Sequence, residues 1–362
     1  MLKAFQRMCR SLHAWGGFLL AILIIAISLS GTALLWKREY LLLTELEARD
    51  QTEFSPEVGA EIASGAERLF GGENIYLIQF ESENTALHKI FLTNDRYAYL
   101  NSKGELVDLW HLNERPEEWL YDFHHRLLLG DTGVLICGLA ALSLLALVLP
   151  AVVAWWPTRK GFSWPVLKKG VSRPQLLATH RNLGIVMALP LMFSLTTAIL
   201  LAFPDEAQEV LVDPHRTTQS YSDLYIERVD ALTGREQGSL PASLRRAQSL
   251  MEGARIRSLQ LPYGFSGYNL IGLQQQGDWH PGGLSLVYIE PESGRMDMSL
   301  DAFKLPLSEK LYNLSYPLHT GKVENLGYRL FLTMVGLSMS MLAILGLISF
   351  VKKLLGRANR KT

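Results

Sequence analysis

Residues 12–36 read LHAWGGFLLAILIIAISLSGTALLW, an apolar run with one histidine and no Asp, Glu, Lys or Arg. A helix needs roughly 20 apolar residues to cross the hydrocarbon core of a bilayer. This run meets that length, and three others do as well, so spans are expected at 16–36, 127–156, 178–203 and 326–351. Lys3, Arg7 and Arg10 ahead of the first span resemble the basic end of a secretory signal. Its apolar stretch, however, exceeds the roughly 7–15 residues of a signal core and continues past Ser28-Leu29-Ser30 to Trp36, so it reads as an uncleaved anchor. With 48% hydrophobic and 19% charged residues, the chain is too apolar for an ordinary soluble domain and too polar to lie wholly in lipid.

The zero net charge hides a strict segregation. Residues 1–15, 157–177 and 352–362 are rich in Lys and Arg and contain no Asp or Glu, and every acid lies within 39–131 or 205–324. Basic short loops stay in the cytoplasm. The chain therefore divides into a cytoplasmic N-terminus with the first span (1–36), an outer segment (37–126), the second span (127–156) and a cytoplasmic loop (157–177). The third span (178–203), a second outer segment (204–325), the fourth span (326–351) and a cytoplasmic tail (352–362) complete it, with the lipid bilayer as surroundings and no nucleic-acid partner. Trp36, Trp155 and Trp156 fit the aromatic belt of a membrane interface. The two cysteines, Cys9 and Cys137, give neither a disulfide framework nor iron–sulfur spacing.

Span, long outer segment, span occurs twice. In the first outer segment 56–70 reads as a helix, followed by strand-like runs at 75–80, 89–93 and 97–100 and a turn at 101–104. In the second, 241–252 reads as a helix, followed by runs at 256–261, 268–273 and 284–289 and a turn at 291–294. The expected architecture is α-helical and membrane-embedded. Its four transmembrane helices form two parallel repeats about an axis along the membrane normal, with two small α+β modules outside.

The nine histidines carry the functional argument. His13 and His180 open the first and third spans on the inner side; His124, His125 and His319 open the second and fourth on the outer side. Ionisable groups at membrane depth are functional candidates, although a single interfacial histidine also serves as a plain helix-end anchor. Here the repeat pairs His13 with His180, and His124 or His125 with His319. Two neutral imidazoles on facing helices are what a b-type haem requires for bis-histidine ligation. His13-x-x-x-Gly17 with Ala21, and His180-x-x-x-Gly184 with Ala188, also place small residues along each histidine's face. Small residues alone read as close helix packing; their coincidence with histidine at both inner sites favours haem. Gly130, Gly133, Gly321 and Gly327 lie near the outer histidines. A zinc or copper centre calls for three or four converging ligands, and no acid accompanies the inner pair. A proton relay calls for acids within the spans, where only Asp131 comes near one.

Several motifs together resemble the PepSY-associated transmembrane family. They are Leu12-His13-x-Trp15-x-Gly17, Phe123-His124-His125-Arg126 running to Gly130-Asp131-Thr132-Gly133, His180-Arg181-x-x-Gly184, and Tyr316-Pro317-Leu318-His319-Thr320-Gly321 followed by Arg329. The resemblance spans the chain and makes the outer modules PepSY-like. It implies a bacterial inner-membrane ferrisiderophore reductase with two b-type haems, ligated by His13, His180, His124 and His319. The family's spacing to the Leu-Leu-x-Gly glycine selects His124, whereas spacing to Gly133 and Gly327 points to His125; the alternative stays open.

The resulting expectation is an oxidoreductase carrying electrons from cytoplasm to periplasm to reduce a ferric siderophore or other iron chelate. No GxGxxG occurs in the short cytoplasmic parts, so the donor is a separate flavin reductase or membrane quinol. Trp110, Tyr121, Tyr263, Tyr268 and Trp279 are candidate chelate contacts, weighed against ordinary packing. Two other readings compete: a non-enzymatic scaffold whose modules bind or inhibit an extracytoplasmic partner, and a transporter.

Overall fold

The structure is a computed structural model that describes residues 1–49, 52–81, 85–211, 225–226, 239–263, 267–323 and 325–358. Four helices are long and apolar enough to cross a membrane: α1 (Leu2–Leu34), α5 (Asp131–Trp155), α6 (Arg173–Ala202) and α10 (Leu326–Ala358). Each packs on two neighbours, α1 and α6 both lying against α5 and α10. The bundle is therefore a ring, with α1 and α6 on one diagonal and α5 and α10 on the other. The α1–α10 contact is close. A Cβ on Gly336 would sit 2.1 Å from the Thr32 hydroxyl, and the Ser28 and Ser340 hydroxyls hydrogen-bond at 2.6 Å. Small residues that let backbones approach in this way replace the hydrophobic driving force that lipid cannot supply.

Short helices separate the spans from the outer domain: α2 (Lys37–Thr44), α4 (Pro116–Arg126), α7 (Pro204–Leu211) and α9 (Leu307–Thr320). Here the structure departs from expectation. His124, His125 and His319 do not open the spans but occupy the last turns of α4 and α9. Backbone breaks follow them, with Leu127, Leu128 and Gly130 at φ 50°, 60° and 59° and Gly321 at 67°. A left-handed residue ends a helix, so each outer histidine is held on an element separate from the span it precedes.

The outer segments build a single antiparallel sheet in the order β4-β3-β2-β1-β6-β7-β8-β9-β5. The first contributes α3 (Pro56–Phe70), β1 (Ile75–Gln79), β2 (His88–Leu92), β3 (Arg96–Leu100) and β4 (Leu106–His111). The second contributes β5 (Tyr225–Ile226), α8 (Leu240–Ser249), β6 (Arg255–Gln260), β7 (Asn269–Gln274), β8 (Ser285–Ile289) and β9 (Met296–Leu300). The halves join where Ile78 and Gln79 pair with Leu259 and Ser258. Strands β4 and β9, which follow the two turns, had no counterpart in the sequence reading. His215 lies outside the described residues.

Alternation along the strands gives the sheet two faces. Ile78, Ile90, Ala98, Leu100, Ile256, Leu259, Ile271 and Leu273 are buried against α3 and α8, each large one contributing about 1.5–3 kcal/mol. The intervening residues, among them Lys89, Phe91, Tyr99, Arg255, Arg257 and Gln274, line a cavity shared with the bundle.

Candidate functional site

The bundle brings the expected histidines into two pairs. His13 and His180, on diagonally opposed helices, have ring centroids 5.9 Å apart. His124 and His319, each leading into one helix of the other diagonal, stand 6.3 Å apart with rings inclined at 27°. From His13 to Ile27, beside His124, α1 rises about 21 Å, and from His180 to Thr197, beside His319, α6 rises about 26 Å. The two levels therefore lie toward opposite ends of the bundle.

Each ring is tied to a neighbouring helix through Nδ1. His13 Nδ1 lies 3.3 Å from the Leu147 carbonyl on α5, and His180 Nδ1 lies 3.0 Å from that of Leu342 on α10. His124 Nδ1 meets the Ile27 carbonyl at 2.9 Å and the Ser30 hydroxyl at 3.2 Å on α1; His319 Nδ1 meets the Thr197 hydroxyl at 3.1 Å on α6. A carbonyl can only accept, so His13, His180 and His124 carry their proton on Nδ1, which leaves Nε2 with its lone pair. Histidines that ligate metals are held in this way by a partner on the other nitrogen.

His125 is placed differently. Its ring packs at 5.6 Å on Tyr121, on its own helix, and its buried Nδ1 has no hydrogen-bond partner among the described residues. Of the two adjacent histidines, His124 is the one brought against His319.

The space around the pairs is uneven. Among the described residues a Cβ on Gly17 would meet nothing within 4 Å, and one on Gly184 only a Leu342 methyl at 3.7 Å, so neither glycine, one turn along from His13 and His180, is required by close packing. At the outer level the glycines near the histidines do other work. Gly130 and Gly321 take positive φ at the helix breaks, and a Cβ on Gly133 would overlap the Arg126 carbonyl. The glycine that touches a ring there is Gly31 on α1, whose Cβ would lie 2.5 Å from His124 Cε1. It belongs to the long apolar run, where nothing local distinguishes it.

A cavity of about 1630 Å³ opens from the outer pair. Its deep part is apolar, walled by Ile24, Ala140, Leu144, Leu195 and Ala198 around His124 and His319. Its shallow part lies between the bundle and the sheet and is charged. Glu118 accepts from Lys37 at 2.6 Å and Lys89 at 2.8 Å; Glu39 accepts from Arg329 at 2.6 Å, with Arg38 at 3.6 Å. Burial opposes ionisation of Glu118, but the two ammonium groups outweigh it and hold the carboxyl at about 2. Burial pulls Lys89 down to about 8, only partly offset by Glu118, and its ammonium also rests 4.8 Å from the Tyr97 ring centroid. Arg329 stacks on Trp36 at 4.6 Å, and Trp36 donates to Thr333 at 3.2 Å.

Among the aromatic candidates, Tyr121 and Trp279 line the cavity, and Tyr263 and Tyr268 do not. Trp110 is buried, packed on Tyr99 at 4.6 Å beneath the Arg115 guanidinium. His88 lies buried in the sheet, and His280 packs on Tyr316. Both cysteines are free. Among the described residues no three His, Cys, Asp or Glu side chains converge as a metal-binding group.

Comparison with known proteins bears on the chain as a whole. The model of the family described as "PepSY-associated TM region" matches residues 10–353. Among curated proteins none matches the chain.

Proposed function

The chain belongs to the PepSY-associated TM family, and from that premise we propose that it is a two-haem inner-membrane electron carrier reducing a ferric chelate such as a ferrisiderophore. One observation carries this reading. Two imidazoles that would hold one metal ion between them must stand close together with Nε2 of each left free by a partner on Nδ1. The two pairs stand at 5.9 and 6.3 Å, with Nδ1 engaged in every case.

In this reading His13 and His180 would hold the inner b-type haem, with Gly17 and Gly184 leaving room for the macrocycle, and His124 and His319 would hold the outer one. Bound haem supplies reversible one-electron transfer. The protein's own groups do the rest: the carbonyls of Leu147, Leu342 and Ile27 and the Thr197 hydroxyl fix ring orientation, and the apolar walls exclude water. The hydrogen-bond scheme also supports reading the halves as parallel repeats with PepSY-like modules outside. Exchanging α1 with α6 and α5 with α10 carries each histidine and its helix partner onto the other pair. Both termini lie in the cytoplasm by the distribution of Lys and Arg. The donor is a separate flavin reductase or membrane quinol. A dihydroflavin or quinol releases two electrons and two protons and serves two Fe(III) ions, each taking one electron to become Fe(II) and be released from hard-oxygen donors.

The visible spectrum of the purified protein tests this. A Soret band with sharp reduced α and β bands, two haems per chain, and Fe(II) trapped by ferrozine after the reduced protein meets a ferric chelate are expected. A colourless protein would overturn the reading and favour a scaffold or transporter.

A further inference from the structure

The shallow part of the cavity carries more positive than negative charge, and its geometry shows why. Among the described residues seven Lys and Arg side chains line the cavity against four carboxylates, Glu39, Glu81, Glu118 and Asp278; Glu118 lies between Lys37 and Lys89, and Glu39 between Arg38 and Arg329. Lys322, on the same wall, donates to the Tyr316 hydroxyl at 3.1 Å and feels the Glu81 carboxylate, which also lines the cavity. The Arg329 Nε is buried and has no partner among the described residues. An uncompensated positive field inside walls of low dielectric concentrates anions. This chamber is continuous with the apolar slot that holds His124 and His319. Its total volume of about 1630 Å³ exceeds the 300–1,000 Å³ or so of an ordinary small-ligand pocket, enough for a macrocycle below and a second ligand above. Tyr121 and Trp279, each about half exposed, offer aromatic surface on the wall.

We propose that this chamber, roofed by the charged face of the sheet, binds the electron acceptor, and that the acceptor is a multiply anionic ferric chelate with aromatic oxygen donors. The assignment rests on the two-haem reading for its redox role, but the binding stands on the chamber itself. Lys322 and the cations that share Glu118 and Glu39, Arg38 among them, contribute the excess charge.

The test uses the full chain in lipid nanodiscs and two radio-iron-labelled probes of similar size, a trianionic tripodal ferric tris-catecholate and a neutral tripodal ferric tris-hydroxamate. Equilibrium dialysis measures affinity for the wild type, for the double variant Lys322→Gln/Arg38→Gln and for the charge-keeping variant Lys322→Arg. The trianion is expected to bind about tenfold or more tightly than the neutral complex, with affinity falling as salt rises. The double variant should weaken the trianion about tenfold and the neutral probe less than twofold, while Lys322→Arg retains binding. Equal affinity for the two probes, or a double variant that binds the trianion as wild type does, overturns the chamber assignment. So does a double variant that loses haem absorbance, because the cations then hold the cofactor rather than the chelate. A colourless wild-type protein that still binds the trianion in a charge-dependent way would overturn the two-haem reading and leave the chamber standing.

Discussion

The His124 imidazole lies directly against Gly31. Its Nδ1 meets the Ile27 carbonyl at 2.9 Å, and a Cβ on residue 31 would come within 2.5 Å of Cε1 and 3.1 Å of Nε2. The ring therefore has the place it occupies only because α1 presents a bare backbone there, one turn above the carbonyl that holds it.

In the two-haem reading, Gly31→Val should displace the ring of His124 and remove the outer haem while leaving the inner one. Pyridine haemochrome analysis is expected to fall from two haems per chain to about one. A ratio that stays at two would show that the ring has room to move and that Gly31 is only a packing residue.

The adjacent histidines give a sharp contrast. His124→Ala should halve the haem content, as should His13→Ala, His180→Ala or His319→Ala. His125→Ala, which touches only Tyr121 among the rings, should leave it unchanged. Equal losses from His124→Ala and His125→Ala would contradict the pairing at the outer level.

Thr197→Val keeps the shape of the side chain and removes the hydroxyl that meets His319 Nδ1. Partners of this kind are worth about 10–100-fold in metal affinity. The variant is expected to be purified with less outer haem, and with a shifted midpoint potential for what remains; the potential of the inner haem should not move. Redox titration followed at the α band separates the two.

Glu118 is nearly buried between two lysines. Replacing it by Gln takes from Lys37 and Lys89 the carboxylate they share, at a cost of about 3–5 kcal/mol. The sign with pH follows from a carboxyl held near 2 against an ordinary 4.5. Its stabilisation is complete above 4.5 and disappears as the pH falls toward 2. Thermal unfolding of the detergent-solubilised protein should show a lowered midpoint for Glu118→Gln at pH 7 and a smaller difference from wild type near pH 2–3.

His88 acts in a higher pH window. Burial in the sheet pushes it from 6.5 down to about 4, so the unfolded chain takes up a proton at a pH where the folded one does not. Stability is full above 6.5 and falls by about 3 kcal/mol as the pH drops to 4. His88→Leu should reduce the drop in melting midpoint between pH 7 and pH 5. An unchanged pH profile would mean that His88 titrates alike in the folded and the unfolded chain.

Much of this protein is legible in its sequence because membrane insertion and the positive-inside bias act on short, contiguous stretches. Four apolar runs, the acid-free loops and the spacing of His13 with Gly17 and His180 with Gly184 are all local patterns, and the outer helices and most strands follow from their periodicity. Strands β4 and β9 escaped because residues 106–111 and 296–300 pair only once the preceding turn has brought a partner alongside.

The remaining features of the site depend on contacts between residues far apart in the chain. Leu127 and Gly321 turn into left-handed conformations that set His124 and His319 on helices of their own. Gly31, indistinguishable from any other small residue in its run, gains its role because His124 arrives there from another helix. The joining of two outer segments through Ile78 and Leu259 makes one sheet, and the charged face of that sheet becomes the roof of a chamber. Apolar length and charge bias are properties of a segment and can be read from it. Which imidazole meets which, and what space lies between them, depends on how the segments pack.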